Sequence, residues 1–367
     1  MSQAIVSQSS GPVRVMLCDD SATVRAALAR VLEADPDIKV VARAGDGRQA
    51  VETLAGMSVA TRPQVVLLDL EMPVMDGMTA LPLLQQQVPR PAVIVASALT
   101  QKGAAVTMAA LRAGAADYIP KPGAAGGGLH DASFRAELVA KVKGWARMGR
   151  AAAPRPVPAP RPSPAALLPR RGVKAIGIGC STGGPQALAA LVRGLNRKLP
   201  VPVVAVQHMP AGFTAMLADH LNRLGTLGCA EARDGEVMQP GRLYLAPGDK
   251  HLLVEAASGK LVARLNDGPP ENFCRPAVDP MLRSLNAACE GGVLAVILTG
   301  MGHDGLAGCK AVAAAGGAVL AQDEASSVVW GMPGAVARAG LARALLPPEG
   351  LAEQVLALVA SRAGAFA

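Results

Sequence analysis

Three side chains suited to acyl transfer follow short apolar segments in the second half of the chain. Ser181, His208 and Asp304 each lie just beyond such a segment. Because the carboxyl ends of parallel strands meet at one edge of a sheet, we expect the three side chains to lie together there. A serine hydroxyl becomes a nucleophile when an imidazole takes its proton, and a carboxylate fixes that imidazole. The sequence therefore predicts a serine hydrolase site.

The turn around Ser181 has the pattern of a strand-to-helix bend that exposes a nucleophile. Residues 179–183 fit G-x-S-x-G, with the serine at the centre of the bend. Glycine allows such a bend without a Cβ clash, and Pro185 suits the first position of the following helix. The α/β-hydrolases that share this pattern have the acid before the histidine, whereas here His208 precedes Asp304. The pattern alone therefore does not make the chain one of them.

The same turn is open to other interpretations. A glycine-rich turn before a helix can hold a phosphate or a dinucleotide, which would make this half a binding module. A dinucleotide site expects an acid at the end of the next strand, where this chain has Gln207 and His208. Cys180 is intrinsically a better nucleophile than its neighbour Ser181. Because adjacent residues on a bend point in different directions, we expect Cys180 to pack beneath the turn.

A separate set of polar residues marks the first half of the chain. Four apolar segments alternate there with helical patterns, and Ser21 is expected to cap the first helix. Three acids at one sheet edge would repel one another and need a cation, and a site of oxygen ligands suits Mg²⁺. An aspartate beside that cation can accept a phosphoryl group whose charge the metal and a lysine neutralise. The residues at the segment ends are Asp19, Asp20, Asp69, Ser97 and Lys121.

This first half resembles the receiver domain of two-component response regulators, and we place that domain at residues 12–148. The resemblance implies a doubly wound (βα)5 fold, phosphorylation by a histidine kinase with Mg²⁺ as cofactor, and a cis bond before Pro122. It also implies that phosphate draws the hydroxyl and the aromatic ring of the switch inward. The residues it assigns are the phosphoacceptor Asp69, the metal ligands Asp19, Asp20, Asp69 and the Glu71 carbonyl, and the switch residues Ser97, Tyr118 and Lys121.

The second half resembles the catalytic half of the chemotaxis protein-glutamate methylesterases. The matching runs include Gly-Cys-Ser-Thr-Gly-Gly, Gln-His-Met-Pro-Ala-Gly-Phe-Thr and Leu-Thr-Gly-Met-Gly-His-Asp-Gly, and we place this domain at residues 173–363. The resemblance implies a second doubly wound fold with a mostly parallel sheet. It also implies cofactor-free hydrolysis of glutamate γ-methyl esters on cytoplasmic helices of chemoreceptors, release of methanol, and deamidation of selected glutamines. The implied roles are nucleophile for Ser181, base for His208, orienting acid for Asp304 and backbone oxyanion donor for Met301.

Two places depart from the family's usual pattern. Cys180 stands where alanine is usual, and residues 271–277 read Glu-Asn-Phe-Cys-Arg-Pro-Ala where His-Arg-Pro-Ser is commoner. We expect these changes to affect local contacts and not the triad. A degenerate output domain is a further alternative, which the three filled triad positions disfavour. His303 is expected to point away from its neighbour Asp304, and His220 and His251 are interpreted as structural or surface groups.

The composition of the chain indicates a linker between the two domains and gives no sign of a membrane span. Residues 149–172 are rich in Pro, Ala and Arg, and predict an extended tether between the two domains. This segment contains five arginines and no acid, which accounts for much of the net charge of +8. The positive charge therefore does not indicate a nucleic-acid-binding protein. No apolar run approaches the roughly 18 residues of a membrane span, and the six cysteines are scattered. We expect a cytoplasmic monomer with no membrane insertion.

Overall fold

The computed structural model describes residues 11–98, 100–121, 131–150 and 172–360. The chain divides into two compact units, which consist of residues 1–97 with 113–149 and residues 98–112 with 150–367. Most of the predicted tether, the predicted cis bond before Pro122 and the last residues of the chain lie outside the described residues. The domain boundaries proposed above remain predictions.

The first sheet of the described chain has five parallel strands in the order β2-β1-β3-β4-β5. Apolar side chains fill the central strands, and every residue of β3 is buried. The strands are β1 (Val13–Cys18), β2 (Ile38–Ala44), β3 (Val65–Asp69), β4 (Ala92–Ser97) and β5 (Asp117–Pro120). The helices between and after them are α1 (Ala22–Glu33), α2 (Gly47–Gly56), α3 (Gly77–Gln85), α4 (Gln101–Arg112) and α5 (Ala132–Arg150).

The apolar pattern located four of these five strands. Strand β2 was not located, because it is an edge strand on which Lys39 and Arg43 are exposed, so its sequence lacks a continuous apolar run. The predicted helix cap is confirmed, since the Ser21 hydroxyl accepts a hydrogen bond from the Val24 N–H at 3.3 Å. The alternation of strand and helix gives the doubly wound fold that was predicted.

The second sheet has seven parallel strands within the described residues, in the order β14-β13-β12-β6-β7-β9-β8. They are β6 (Ala175–Cys180), β7 (Val203–Gln207), β8 (Gly228–Glu231), β9 (Arg242–Leu245), β12 (Val293–Ile297), β13 (Ala318–Gln322) and β14 (Ala344–Leu346). Strands β10 (His251–Ala257) and β11 (Lys260–Asn266) form an antiparallel hairpin. The helices are α6 (Gly184–Gly194), α7 (Phe213–Asn222), α8 (Val278–Ala288), α9 (Leu306–Ala314), α10 (Met332–Arg338) and α11 (Pro348–Ala360).

The strand order places a crevice beside the central strand β6. Its neighbours are β7 on one side and β12 on the other, so the chain direction across the sheet reverses between β6 and β12. Loops leave the sheet in opposite directions at such a point and open a crevice at the carboxyl ends of the strands. Gly183 makes the turn there with a φ of 73°, and α6 begins at Gly184, so Pro185 is its second residue and not its first. Among the described helices, none combines the length and apolar character that crossing a bilayer requires.

Two glycines of β6 allow α8 to pack closely on the sheet. A Cβ on Gly177 would lie 2.6 Å from Leu282 Cδ2, and one on Gly179 would lie 2.5 Å from Val278 Cγ1. Residues two apart on a strand face the same side, so both glycines lie under α8. The close packing brings the start of α8 to the carboxyl end of β6, where the predicted site lies.

We predict that Gly177→Ala destabilises the protein by about 1–3 kcal/mol, because the new methyl group overfills this contact. The matched control is Gly228→Ala in β8, where the nearest atom to a new Cβ is Arg242 Cγ at 3.9 Å. Thermal unfolding of the full chain should show a lowered midpoint for the first variant and little change for the second. Equal midpoints for Gly177→Ala and the parent protein would contradict the packing argument.

Candidate active site

Ser181 and His208 follow two adjacent strands and are held together by the backbone. Cys180 and Gln207 are paired residues of β6 and β7, and the His208 N–H donates to the Cys180 carbonyl at 3.1 Å. The Gln207 side-chain amide donates to the carbonyl oxygens of Ser181 and His208, each at 3.0 Å. The two residues predicted to act as nucleophile and base are therefore neighbours at one sheet edge.

The loop after β12 passes directly against Ser181. The Ser181 N–H donates to the Thr299 carbonyl at 3.0 Å, and a Cβ on Gly300 would lie only 2.9 Å from the Ser181 Cβ. Within the described residues, the backbone N–H groups of Met301 and Thr182 make no hydrogen bond. Thr182 follows Ser181 in the chain and Met301 follows Gly300, so both N–H groups are candidate oxyanion donors. The Thr182 N–H was not predicted from the sequence.

Asp304 is almost completely buried, and five donors satisfy its carboxylate. They are His208 Nε2, Asn272 Nδ2 and the backbone N–H groups of Val278, Asp279 and Gly305, at 2.6 to 3.1 Å. Burial acts to raise the pKa of this carboxyl, but the bonds from His208 and from the backbone lower it overall. Asp304 is therefore a fixed negative charge in the site.

Asp304 also determines which nitrogen of His208 carries the proton. The distance from His208 Nε2 to Asp304 Oδ2 is 2.8 Å, and an ionised carboxylate only accepts hydrogen bonds, so Nε2 is the protonated nitrogen. Nδ1 remains to accept a proton from a nucleophile. Burial acts to lower the pKa of His208, but the bonds to Asp304 and Cys274 raise it to about 10.

Nδ1 of His208 lies 3.5 Å from the sulfur of Cys274. Among the hydrogen bonds of the described residues, none joins the Ser181 hydroxyl to this nitrogen. Cys180 is fully buried, its sulfur lies 3.6 Å from the Val206 carbonyl, and burial strongly raises the pKa of its thiol. Cys180 thus packs beneath the turn, and a different cysteine contacts the imidazole.

Within the described residues, His251 and His303 make no hydrogen bond to the side chains of Ser181, His208 or Asp304. His251 is buried between the Pro269 carbonyl and the Ala277 N–H, at 3.0 and 3.2 Å. His303 is exposed. The surroundings of His251 are those of a structural group, and those of His303 are those of an exposed loop residue.

The segment before α8 supplies residues that support the triad and that were not predicted from the sequence. The Asn272 amide donates to Asp304 at 2.9 Å and to Asp279 at 3.0 Å, and Cys274 contacts His208. The signal was present, because residues 271–277 are where the chain departs from the family's usual pattern. The sequence alone did not predict that this segment lies against the sheet edge that carries the triad.

A second cluster of functional side chains lies in the first unit. Ligand atoms of Asp19, Asp20 and Asp69 all lie within 4.8 Å of one another, and Lys121 Nζ lies 2.7 Å from Asp69 Oδ2. The Glu71 N–H donates to Asp69 Oδ1 at 3.1 Å. Burial and the neighbouring Asp69 charge raise the pKa of Asp19 despite the hydrogen bond from Ser21. A compact set of carboxylates with one exposed member fits Mg²⁺, which prefers oxygen ligands and retains water.

The other predicted switch residues, Ser97 and Tyr118, are both buried. The Lys141 ammonium lies 4.9 Å from the centre of the Tyr118 ring and bonds the Tyr118 carbonyl. Lys141 is itself buried and pairs with Asp117 and Glu137 at 3.5 and 2.8 Å. The Tyr118 ring thus lies in the inward position that is expected for the switch after phosphorylation.

We predict that Asp20→Asn weakens Mg²⁺ binding by about tenfold or more, because it removes one charged oxygen ligand from the cluster. Titration calorimetry of the full chain measures the affinity. Glu52→Gln, at an exposed acid on α2, is the control and should bind Mg²⁺ as the parent protein does. An Asp20→Asn affinity equal to that of the control would mean that the cluster is not the binding site.

Each of the two sites lies in a part of the chain that matches a known protein family. The response regulator receiver domain family model matches residues 15–130, and the CheB methylesterase family model matches residues 176–355. The catalytic domain of Thermotoga maritima CheB methylesterase has a similar crystal structure, with a TM-score of 0.50 and 42% identity, covering 52% of this chain and 99% of that one.

Two curated relatives match nearly the whole chain. The protein-glutamate methylesterase/protein-glutamine glutaminase of Azospirillum brasilense is 50% identical over 360 residues, covering 92% of this chain and 90% of the relative. A relative from Rhodospirillum centenum with the same name, assigned to its group 2 operon, is 47% identical over 382 residues, covering 96% of each. This chain therefore belongs to the protein-glutamate methylesterase/protein-glutamine glutaminase family, in which a receiver domain is joined to a CheB methylesterase domain.

Proposed function

We propose that this chain is a phosphorylation-activated serine esterase of chemosensory adaptation. Its substrates are glutamate γ-methyl esters on the cytoplasmic helices of chemoreceptors, and it also deamidates selected glutamines there. Family membership supports the reaction class. The observation that carries the proposal is the meeting of Ser181, His208 and a saturated Asp304 carboxylate at one sheet edge.

In the proposed acylation step, Nδ1 of His208 takes the proton of the Ser181 hydroxyl as its oxygen attacks the ester carbonyl. Asp304 stabilises the imidazolium that forms, through the 2.8 Å bond to Nε2. The N–H groups of Met301 and Thr182 receive the charge that develops on the carbonyl oxygen.

The intermediate collapses when the C–O bond to the leaving group breaks. The imidazolium returns its proton to that oxygen, and methanol leaves an acyl-Ser181 ester. Water then attacks this ester while Nδ1 takes one of its protons, and that proton passes to Ser181 as the glutamic acid departs and loses its remaining proton to solvent. A glutamine side chain follows the same route with ammonia as the leaving group.

We propose that the first unit controls this reaction. A histidine kinase supplies the phosphoryl group, and Asp69 accepts it. Asp19, Asp20, Asp69 and the Glu71 carbonyl would hold Mg²⁺, which neutralises charge on the transferring group. Lys121 contributes a second positive charge next to Asp69. Ser97 and Tyr118 would transmit the change. Because the proposed substrate helices and the histidine kinase are cytoplasmic, we expect the enzyme to act in the cytoplasm, as a monomer.

Substitutions in the triad test the esterase. Ser181→Ala and His208→Ala should each lower kcat by roughly 10⁴-fold or more, and Asp304→Asn somewhat less, because it leaves the base in place. Cys180→Ala is the matched control and should keep most activity, since its thiol is buried. Methanol release from methylated receptor membranes measures all four. An inactive Cys180→Ala variant together with an active Ser181→Ala variant would overturn the assignment of Ser181 as the nucleophile.

Phosphorylation provides an independent test. A small phosphodonor such as acetyl phosphate, added with Mg²⁺, should increase methanol release by the parent enzyme and leave Asp69→Asn unchanged. Asp37→Asn replaces an exposed acid of the same unit that pairs with Lys143, and it should respond as the parent does. If Asp69→Asn is still activated, another residue accepts the phosphoryl group.

A further inference from the structure

Cys274 stands apart from the other cysteines of this chain. Five of the six are buried, whereas Cys274 is partly exposed and its sulfur lies 3.5 Å from Nδ1 of His208. The other nitrogen of that ring is bonded to Asp304. The Cys274 thiol, the His208 imidazole and the Asp304 carboxylate therefore form a continuous chain of contacts. The thiol contacts Nδ1, the nitrogen that accepts the Ser181 proton in the proposed mechanism.

The direction of the contact follows from Asp304. Because Nε2 of His208 carries its proton toward the carboxylate, Nδ1 of the neutral ring has only a lone pair to offer. The Cys274 S–H group must then be the donor. A proton can move along this bond from sulfur to Nδ1, which breaks S–H, forms N–H and leaves a thiolate beside an imidazolium.

The loop that carries Cys274 is fixed at both ends. Glu271 and Cys274 exchange backbone hydrogen bonds of 3.1 and 3.0 Å, and the Glu271 carboxylate forms two bonds with Arg283. Asn272 and Phe273 have φ values of 53° and 63°, a conformation that non-glycine residues rarely adopt. Such strain persists only where surrounding contacts impose it. The Asn272 amide, bonded to Asp304, supplies one of these contacts.

We propose that Cys274 is a positioning residue of the esterase, whose thiol holds Nδ1 of His208 in the resting site and gives its proton to that nitrogen. The inference rests on the proposed role of His208 as the base. In the resting pair the base is protonated and cannot take a proton from Ser181. The Ser181 hydroxyl must replace the thiol at Nδ1 before the reaction starts.

The charged groups around His208 set the expected pH dependence. Asp304 faces Nε2 from the loop after β12, and Cys274 faces Nδ1 from the loop before α8. Asp279, at the start of α8, and the Glu271–Arg283 ion pair interact electrostatically with Asp304. Of these groups, only Cys274 contacts Nδ1, so its removal changes the proton affinity of the base and leaves the bond to Asp304 in place.

The sign of the effect follows from the raised pKa of His208. Activity needs the unprotonated ring, so a raised pKa confines activity to higher pH. Cys274→Ala removes one of the groups that raise this pKa and should move the acid limb of the kcat/KM profile to lower pH by about 1–3 units. Cys274→Ser should move it in the same direction, because a hydroxyl is a much weaker acid than a thiol and does not pass its proton to the resting imidazole. A purely structural role would lower kcat without moving the limb.

The first measurement is the pH profile of kcat/KM for methanol release by the parent enzyme, Cys274→Ala and Cys274→Ser. Phe273→Ala is the loop control, because this side chain is fully exposed, and its acid limb should match the parent's. A downward shift in both Cys274 variants supports the proposal. Limbs that coincide with that of the parent enzyme overturn it.

The second measurement does not depend on esterase activity. Alkylation by iodoacetamide at neutral pH, followed by mass spectrometry, should label Cys274 rapidly in the parent enzyme and about tenfold or more slowly in His208→Gln, because the imidazolium no longer stabilises the thiolate. The five buried cysteines should stay unlabelled and report that the variant is folded. An unchanged rate in folded His208→Gln overturns the pairing. Labelling that depends on His208 in a parent enzyme that releases no methanol would instead refute the proposed function.

Discussion

The buried carboxylate of Asp304 is the constraint on which the catalytic site depends. A buried charge is costly unless hydrogen bonds and a partner charge compensate for it. Here the donors come from the end of β7, the loop before α8, the first turn of α8 and the loop after β12. Parts of the chain far apart in sequence must therefore meet around one carboxylate, and their meeting fixes the imidazole of His208. The glycines of β6 contribute by letting α8 approach the sheet closely.

The two units place acids at equivalent points of their sheets and use them differently. In the first unit, Asp19 and Asp20 follow β1 and Asp69 ends β3, where the chain direction across the sheet also reverses. These carboxylates lie close to one another, and the Lys121 ammonium pairs with Asp69. Such a cluster favours a divalent metal. The Asp304 carboxylate is instead saturated with protein donors, so it acts on an imidazole. The number of protein hydrogen-bond donors around a carboxylate thus distinguishes the predicted metal ligands from Asp304, which orients an imidazole.

Most of the strands located from the sequence carry continuous apolar runs, although β13, which is also fully buried, was not located. Strands β1, β3, β4, β6, β7 and β12 are buried in that way, and the polar residues at their ends were located with them. Edge strand β2 and the β10–β11 hairpin are partly exposed and give no such run. The positions of Asn272 and Cys274 depend on how a loop closes over a distant strand end, which periodicity does not encode. The sequence therefore offered Cys180, the neighbour of Ser181, as the alternative nucleophile, whereas the thiol that contacts His208 is that of Cys274.

The most direct test of this account is the position of the proton on His208, measured by nitrogen-15 NMR of imidazole-labelled protein through a pH titration. The chain has five histidines, and the signal lost in His208→Gln identifies the one of interest. As the ring loses its second proton, the remaining proton should stay on Nε2, with a strongly downfield proton signal that disappears in Asp304→Asn. A neutral ring protonated on Nδ1, or an Nε2 proton indifferent to Asp304→Asn, would contradict the claim that Asp304 fixes the catalytic base.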